Sequence, residues 1–259
     1  MKRLQKKMHI DRAGEMDNET MLQLKNIYLA PYMQLATSLI GKARHAGGNM
    51  FRHQLDTMSI LIDYGYIDSV LLKASCVHDV IEDVPGFDHT LILNVDEDGK
   101  DVLRLVKEVS RKNGQTKSDY LRSIIQKGSY RAKLLKCADR ISNMISLGFV
   151  TDPKFIERYC DETEYFVLPI AIEVDYNMYQ ELIGLIISRR KYLEKQEQLL
   201  LYYIHIGKRT IQFNEKWADP DCCILVTIFS FPIVDHGTYT LRTLLVHKVW
   251  EPCMKYFLS

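Results

Sequence analysis

The chain has 259 residues, of which 47% are apolar and 26% are charged. Its 34 Lys and Arg residues against 33 Asp and Glu residues give a formal net charge of +1. This composition is typical of a globular protein and excludes a disordered chain, a collagen-like fibre and a disulfide-rich miniprotein. The lack of a basic excess argues against nucleic acid as a partner.

Cysteine spacing and the length of the apolar segments predict the cellular compartment of the protein. The six cysteines contain no CxxC pair, which predicts reduced thiols rather than a disulfide or zinc framework. The basic N-terminal stretch is not followed by the apolar core of a secretory signal. The longest apolar stretch, 222–234, has 13 residues and is too short to span a bilayer. We therefore expect a cytoplasmic protein with no membrane partner.

Helical periodicity runs from about residue 20 to residue 195. Apolar residues recur at three- and four-residue steps from Met21 to Leu39. Shorter helical segments follow between Gly- and Pro-containing turns: 59–64, 69–80, 102–109, 117–125 and 132–146. A long last helix is predicted from Pro153 or Asp161 to about Glu194, with a kink at Pro169. The predicted fold class is all-α, a compact multi-helix bundle.

The last 61 residues, 199–259, have a different character. They hold both tryptophans and three of the six cysteines. Segments 227–229 and 239–246 are rich in β-branched and aromatic residues, which predicts short strands. The change near residue 197 predicts three parts: an N-terminal arm over 1–19, a helical domain over 20–197 and a C-terminal extension over 198–259, whose role is not assigned.

The segment from His78 to Asp83 carries the chemistry, because it places one imidazole and three carboxylates in an apolar helix. On a continuous helix, His78 lies one turn before Glu82, and Asp79 lies one turn before Asp83. Burying these groups without partners is costly, and a bound cation removes that cost. The pattern therefore predicts a metal site.

Two further residues complete that site. His53 lies 25 residues before His78, and Asp139 lies 60 residues after Asp79. Two imidazoles and two carboxylates suit Mn²⁺, Fe²⁺ or Zn²⁺. Four protein ligands leave positions on a six-coordinate ion for water and a phosphate oxygen.

The ordered set of His53, the adjacent pair His78-Asp79, and Asp139 resembles the HD superfamily of metal-dependent phosphohydrolases. Its extension HDxxED, completed by Glu82 and Asp83, is similar to the RelA/SpoT-like alarmone hydrolase branch. Two downstream blocks of that branch are also present: Lys136, Ala138, Asp139, Arg140 and Asn143, and then Arg158, Glu162, Thr163, Pro169 and Ala171. The resemblance covers about residues 20–195.

The resemblance implies a role for each of these residues. It implies Mn²⁺ as the cofactor, bound by His53, His78, Asp79 and Asp139. Glu82 and Asp83 would activate or deliver the attacking water. Asn143 and Arg158 would contact the sugar and the pyrophosphate, and Lys136 or Arg158 would stabilise the leaving group. The implied reaction is removal of the 3′-pyrophosphate from guanosine tetra- or pentaphosphate, as in the stringent response.

One loop departs from the family pattern. Before its first histidine the family has a basic loop of the form R-x-G-x-P-[YF] that helps to hold the guanine base, whereas residues 43–52 here are shorter and contain no proline. Arg44 or Arg52 would have to take over this contact with the substrate.

Because of this departure, three functions stay open. The chain is an alarmone hydrolase, an HD phosphohydrolase for another nucleotide or phosphoester, or a non-catalytic nucleotide-sensing module. In the last case the extension would serve as a partner or dimer surface. The sequence also leaves a homo-oligomer open.

Overall fold

In a computed structural model, residues 16–212, 228–235 and 238–245 are described. The first six α-helices of this part of the chain are α1 Asn18–Asn26, α2 Ala30–Ala36, α3 Met50–Asp63, α4 Ser69–Val77, α5 Val80–Asp83 and α6 Thr90–Leu93. The next six are α7 Gly99–Val109, α8 Lys117–Lys127, α9 Tyr130–Ser146, α10 Pro153–Glu162, α11 Leu168–Val174 and α12 Tyr176–Gln212. Short 3₁₀ turns over Thr37–Leu39 and Leu147–Phe149 follow α2 and α9. The all-α class predicted for the main domain is confirmed.

Polar residues start the helices that carry the candidate site. Asn49 caps α3 by accepting a hydrogen bond from the backbone N–H of Phe51. In the same way, Asp68 caps α4, and Ser129 caps α9. Each such cap stabilises its helix by about 1 kcal/mol, because it satisfies an N–H that has no partner within the helix.

Helices α3, α4 and α9 form the centre of the bundle. Helix α9 packs along α3 and also contacts α4 and α7, while α3 packs on α4. Completely buried leucines come from all three helices, among them Leu61, Leu71 and Leu134. Each buried leucine contributes about 1.5–3 kcal/mol relative to an exposed one. This packing fixes the three backbones from which the predicted metal ligands project.

The continuous helix expected through the HDxxED segment is wrong. Helix α4 ends at Val77, His78 and Asp79 form a turn, and α5 begins at Val80. The carbonyl of Ser75, which would accept the N–H of Asp79 in a continuous helix, accepts the His78 imidazole instead. The N–H of Asp79 goes to the side chain of Gln54 in α3. Tertiary contacts therefore replace a helical hydrogen bond at this point.

The long last helix expected from residue 153 to residue 194 is also wrong. A π-helical turn over Thr163–Val167 follows α10, and Pro169 lies in the first turn of α11, where its missing N–H costs nothing. Asp175 then adopts an extended conformation that ends α11. Its carboxylate accepts the N–H groups of Asn177 and Met178 and so starts α12.

The extension contains the two strands that its composition predicts. Strand β1 covers Ile228–Asp235 and strand β2 covers Thr238–Leu245, and they pair antiparallel with Ile228 opposite Leu245. Thr227 and Val246, which were also predicted to be in strands, lie outside the described residues. By its internal contacts the chain divides into two units, Met1–Arg190 and Lys191–Ser259. The boundaries near residues 20 and 197 stay predictions.

Two expectations about the environment of the chain concern cysteines and membranes. Cys76, Cys137 and Cys160 are free and buried. Cys222, Cys223 and Cys253 lie outside the described residues. Within the described part of the chain, no helix has the length and apolar character needed to cross a bilayer.

Candidate metal centre

Three of the four predicted metal ligands converge on one buried point. One side-chain donor atom each from His53, His78 and Asp139 lies within 4.8 Å of the other two, and all three residues are buried. The two imidazole rings meet edge to face, with their centroids 5.1 Å apart. The bundle thus joins residues that are up to 86 positions apart in the sequence.

Each imidazole directs its Nε2 atom toward the shared point, while its Nδ1 atom is held from behind. His53 Nδ1 lies 2.8 Å from the hydroxyl of Ser142, and His78 Nδ1 donates to the carbonyl of Ser75 over 2.8 Å. His53 Nε2 lies 3.0 Å from Asp139 Oδ1. Outer partners of this kind fix ring orientation in metal-binding histidines. The Ser142 hydroxyl both donates and accepts, so it suits either tautomer of His53.

The fourth predicted ligand, Asp79, lies beside this cluster rather than within its tightest core. Its Oδ2 atom is 3.2 Å from His78 Nε2 and 3.5 Å from His53 Nε2. The Gln54 amide donates to the same oxygen over 2.8 Å. Asp79 therefore borders both imidazoles from the turn between α4 and α5.

Two neighbours on α9 hold the Asp139 carboxylate. Lys136 Nζ contacts Oδ2 at 2.6 Å from one helical turn earlier. Asn143, one turn later, donates from Nδ2 to both the Oδ1 atom and the backbone carbonyl of Asp139. Oδ1 is also the oxygen nearest to His53. Lys136 thus occupies one carboxylate oxygen, and the other faces the imidazoles.

The electrostatics of the cluster couple two buried imidazoles to two carboxylates. Burial opposes protonation of His78, but the carboxylates of Asp79 and Asp139 outweigh it and raise the pKa of His78 to about 9. Burial lowers the pKa of His53 despite the same two carboxylates. Burial would raise the pKa of Asp139, yet Lys136 and the imidazoles hold it well below its usual range. His78 and His53 likewise outweigh burial and lower the pKa of Asp79, so both carboxylates are ionised.

This donor set fits a divalent cation. His78 Nε2 is buried and makes no hydrogen bond to any described residue, although it faces two carboxylates. A buried nitrogen without a hydrogen bond costs about 1–3 kcal/mol unless a ligand takes it up. Imidazole nitrogens and carboxylate oxygens are the ligands that Mn²⁺, Fe²⁺ and Zn²⁺ share. The site thus fits a divalent metal whose identity the geometry leaves open.

Glu82 and Asp83, the predicted catalytic pair, lie on α5 at the edge of the site. A Glu82 carboxylate oxygen accepts the backbone N–H of Arg111 over 2.9 Å. Burial raises the pKa of Glu82, and the charge of Asp79 adds to the effect. Asp83 forms an ion pair with Lys42 over 2.9 Å, with both side chains partly exposed. Glu82 thus holds its proton more tightly than an exposed glutamate does.

The loop that departs from the family pattern touches the site. Gly47 and Gly48 have positive φ angles of 87° and 79°, and Ala43 bridges to Asn49 across the loop. Arg44 donates to the Asn143 side-chain oxygen and reaches the Ser146 hydroxyl at 3.4 Å. Arg44 therefore connects to Asp139 through Asn143. Arg52 points away, since its side chain is 76% exposed and pairs with Asp56.

The remaining predicted residue, Arg158, is exposed on α10, and its guanidinium lies 5.4 Å from the Phe155 ring centroid. Two other residues of its sequence block, Glu162 and Thr163, contact Arg140 of the preceding block. Arg140 is 1% exposed and donates to Glu162 over 2.6 Å and to Thr163 over 3.2 Å. The two downstream family blocks therefore meet around Arg140.

The sequence interpretation missed Gln54 and Ser142. Each contacts a predicted ligand from the interior: Gln54 contacts Asp79, and Ser142 contacts His53. A weak signal for each existed, because Gln54 follows His53 directly, and Ser142 follows Asp139 by three residues. Polar residues at such positions on helices are common, so spacing alone does not distinguish them.

Solved structures share this fold. Among them is a metazoan ortholog of SpoT, described as hydrolysing ppGpp and playing a role in starvation responses. The TM-score is 0.52 at 23% sequence identity, and the match covers 68% of this chain and 97% of that chain. The expected resemblance is thereby confirmed in fold. No family model matches the chain, and no curated protein matches it significantly.

Proposed function

We propose that the chain is a divalent-metal-dependent phosphohydrolase that removes the 3′-pyrophosphate from guanosine tetra- or pentaphosphate. The observation that carries the proposal is the convergence of the His53 and His78 Nε2 atoms on the carboxylates of Asp79 and Asp139. In this proposal these four residues hold Mn²⁺. Such a cation, when bound, lowers the pKa of water and neutralises charge on phosphate oxygens.

The protein's own groups supply the proton chemistry. Glu82, whose pKa burial raises, accepts a proton from the attacking water, and Asp83 orients that water from the next position on α5. Lys136 keeps its charge, because Asp139 outweighs burial and raises the pKa of the amine. A fixed ammonium group at this depth stabilises negative charge on the departing pyrophosphate.

The substrate assignment draws on the loop and on the shared fold. Arg44 places a guanidinium at the edge of the site, where it is held by Asn143 and Ser146. A guanidinium in a fixed orientation suits a phosphate group. The structural neighbour that hydrolyses ppGpp shares the fold, which favours a guanosine polyphosphate. The altered loop favours, as the second candidate, another nucleotide or phosphoester on the same metal centre.

The test is pyrophosphate release by the full-length protein, with Mn²⁺ and with a chelator. Guanosine tetraphosphate is assayed beside GTP, dGTP and NADPH. Release from the tetraphosphate alone, abolished by chelator, supports the proposal. Release from another substrate selects the second candidate. Nucleotide binding without any turnover, in protein that has bound metal, contradicts hydrolysis and selects the sensing module.

A further inference from the structure

Gln54 follows His53 in α3, and its side chain is completely buried. The amide meets Asp79 twice: Nε2 donates to Oδ2 over 2.8 Å, and Oε1 accepts the backbone N–H over 3.3 Å. A backbone N–H only donates, and an ionised carboxylate only accepts. These two partners therefore allow a single orientation of the amide, with its nitrogen toward the Asp79 carboxylate and its oxygen toward the Asp79 backbone N–H.

The oxygen that Gln54 contacts is also the one nearest to the imidazoles. Asp79 Oδ2 lies 3.2 Å from His78 Nε2 and 3.5 Å from His53 Nε2. Asp79 lies in the turn between α4 and α5, and 22% of its side chain is exposed to solvent. Without an internal partner, this carboxylate would be free to rotate toward water. The Gln54 amide holds it on the inner side.

The two carboxylates of the site are supported by different chemistry. Lys136 binds Asp139 with a full positive charge, which offsets part of the negative charge available to a cation. Gln54 binds Asp79 with a neutral amide, which orients the carboxylate and leaves its charge intact. Among the described residues, Asp79 thus faces both Nε2 atoms without an ion pair to a lysine or an arginine.

We propose that Gln54 is a positioning residue that holds the Asp79 carboxylate toward the two imidazoles and thereby sets the affinity of the centre for its divalent cation. The inference rests on the metal centre of the proposed function and is independent of the substrate. Outer-partner substitutions in metal sites typically weaken metal binding by about 10–100-fold. We expect an effect of that size here.

The test measures Mn²⁺ binding to the metal-free full-length protein by calorimetry, without substrate. Gln54→Met keeps the length of the side chain and removes both hydrogen bonds, so it should bind Mn²⁺ about 10–100-fold more weakly. Thr57→Val is the matched control, since it removes a buried hydroxyl one turn along α3 that bonds to the His53 carbonyl. The control should bind Mn²⁺ like the wild type. If Gln54→Met does not fold, Gln54→Asn, whose amide is one methylene shorter, carries the same expectation.

A double-mutant cycle separates positioning from general loosening of the core. In an Asp79→Ala background, Gln54→Met should weaken Mn²⁺ binding no further, because the group that it positions is gone. Wild-type affinity in Gln54→Met, or an undiminished effect in the Asp79→Ala background, overturns the inference. Asp139→Ala runs in parallel: if it too leaves Mn²⁺ binding unchanged, the metal centre fails. If only Gln54→Met is without effect, the metal centre stands and Gln54 is not its positioning residue.

Discussion

Helix α9 carries two buried charged clusters on adjacent residues, and they are completed in different ways. Asp139 faces His53, His78 and Asp79, where a buried Nε2 atom has no hydrogen bond among the described residues. Arg140 also keeps its Nε atom without such a bond, but its guanidinium pairs with Glu162 and lies 4.3 Å from the Tyr159 ring centroid.

The comparison distinguishes a residue that suits ligand binding, Asp139, from an adjacent residue that is bound only by protein groups, Arg140. In the Arg140 cluster the guanidinium pairs with Glu162 and donates to Thr163, so protein groups alone bind the buried charge and breaking the pair is costly. In the Asp139 cluster two ionised carboxylates face two imidazoles, and the buried Nε2 atom of His78 lacks a hydrogen bond among the described residues, so the donor set fits a divalent cation. Neighbouring residues of a single sequence block therefore have separable roles, and substitutions should affect metal binding in one case and stability in the other.

The largest expected effect is at Asp139. Asp139→Ala removes a proposed ligand and leaves Lys136 without its partner, so Mn²⁺ affinity should fall by more than about 100-fold, beyond what an outer-partner change causes. Pyrophosphate release should be lost together with the metal. Metal content and rate are measured on the same preparation. Asp101→Ala, which breaks an exposed ion pair with Arg104, is the control and should change neither.

The next effect concerns turnover without loss of metal. Glu82→Gln should retain Mn²⁺ but lower the rate by about 10²–10⁴-fold, since it removes the proposed proton acceptor. Asp83→Asn is expected to act in the same direction. Lys42→Met breaks the Asp83 ion pair while leaving the carboxylate in place. If Lys42→Met slows turnover as much as Asp83→Asn does, Asp83 acts through that ion pair rather than on water.

Substitutions in the Arg140 cluster should lower the free energy of unfolding. Glu162→Ala leaves a buried guanidinium without its carboxylate, which costs about 3–5 kcal/mol in the free energy of unfolding. Denaturant unfolding of metal-free protein measures this cost. Glu164→Ala breaks the exposed pair with Arg190 and should cost no more than about 1 kcal/mol. Equal costs for the two variants would contradict the contrast between the clusters.

The same cluster predicts a pH dependence. Burial would raise the pKa of Glu162, but Arg140 and Lys117 outweigh it and lower the pKa below its ordinary value of 4.5. The folded state therefore holds the proton less tightly than the unfolded state. This stabilisation is present above about pH 4.5 and is lost as pH falls through the folded pKa. Acid unfolding of Glu162→Gln should lack this contribution, and an unchanged pH profile would contradict the pairing.

The smallest effect is expected at the proposed substrate contacts. Arg44→Ala removes a guanidinium fixed beside Asn143 and should raise KM by about 10-fold with Mn²⁺ affinity unchanged. Arg52→Ala, exposed and paired with Asp56, should change nothing. Arg158→Ala tests the contact that the resemblance implies, and a comparable rise in KM would confirm it. A rise in KM for Arg52→Ala and not for Arg44→Ala would assign the substrate contact of this loop to Arg52.

The sequence predicts the residues that converge in the cluster better than the residues that hold them in place. His78 and Asp79 are found by their spacing to other carboxylates, and residues with charges in an apolar helix are conspicuous. The break after Val77 is not predictable from local pattern, because Gln54 and the His78 ring redirect two backbone groups. The burial of Arg140 against Glu162 likewise depends on packing between distant helices. Hydrophobic periodicity indicates which face of a helix is buried, but it does not identify the helix that packs against that face.

The most direct test of the account is the rate of pyrophosphate release from guanosine tetraphosphate as a function of free Mn²⁺, measured beside Mn²⁺ binding on the same full-length protein. We expect the rate to follow occupancy of one site, to fall to zero in chelator and to be absent in Asp139→Ala. Turnover that persists in chelator, or that survives in Asp139→Ala with unchanged metal dependence, would contradict it.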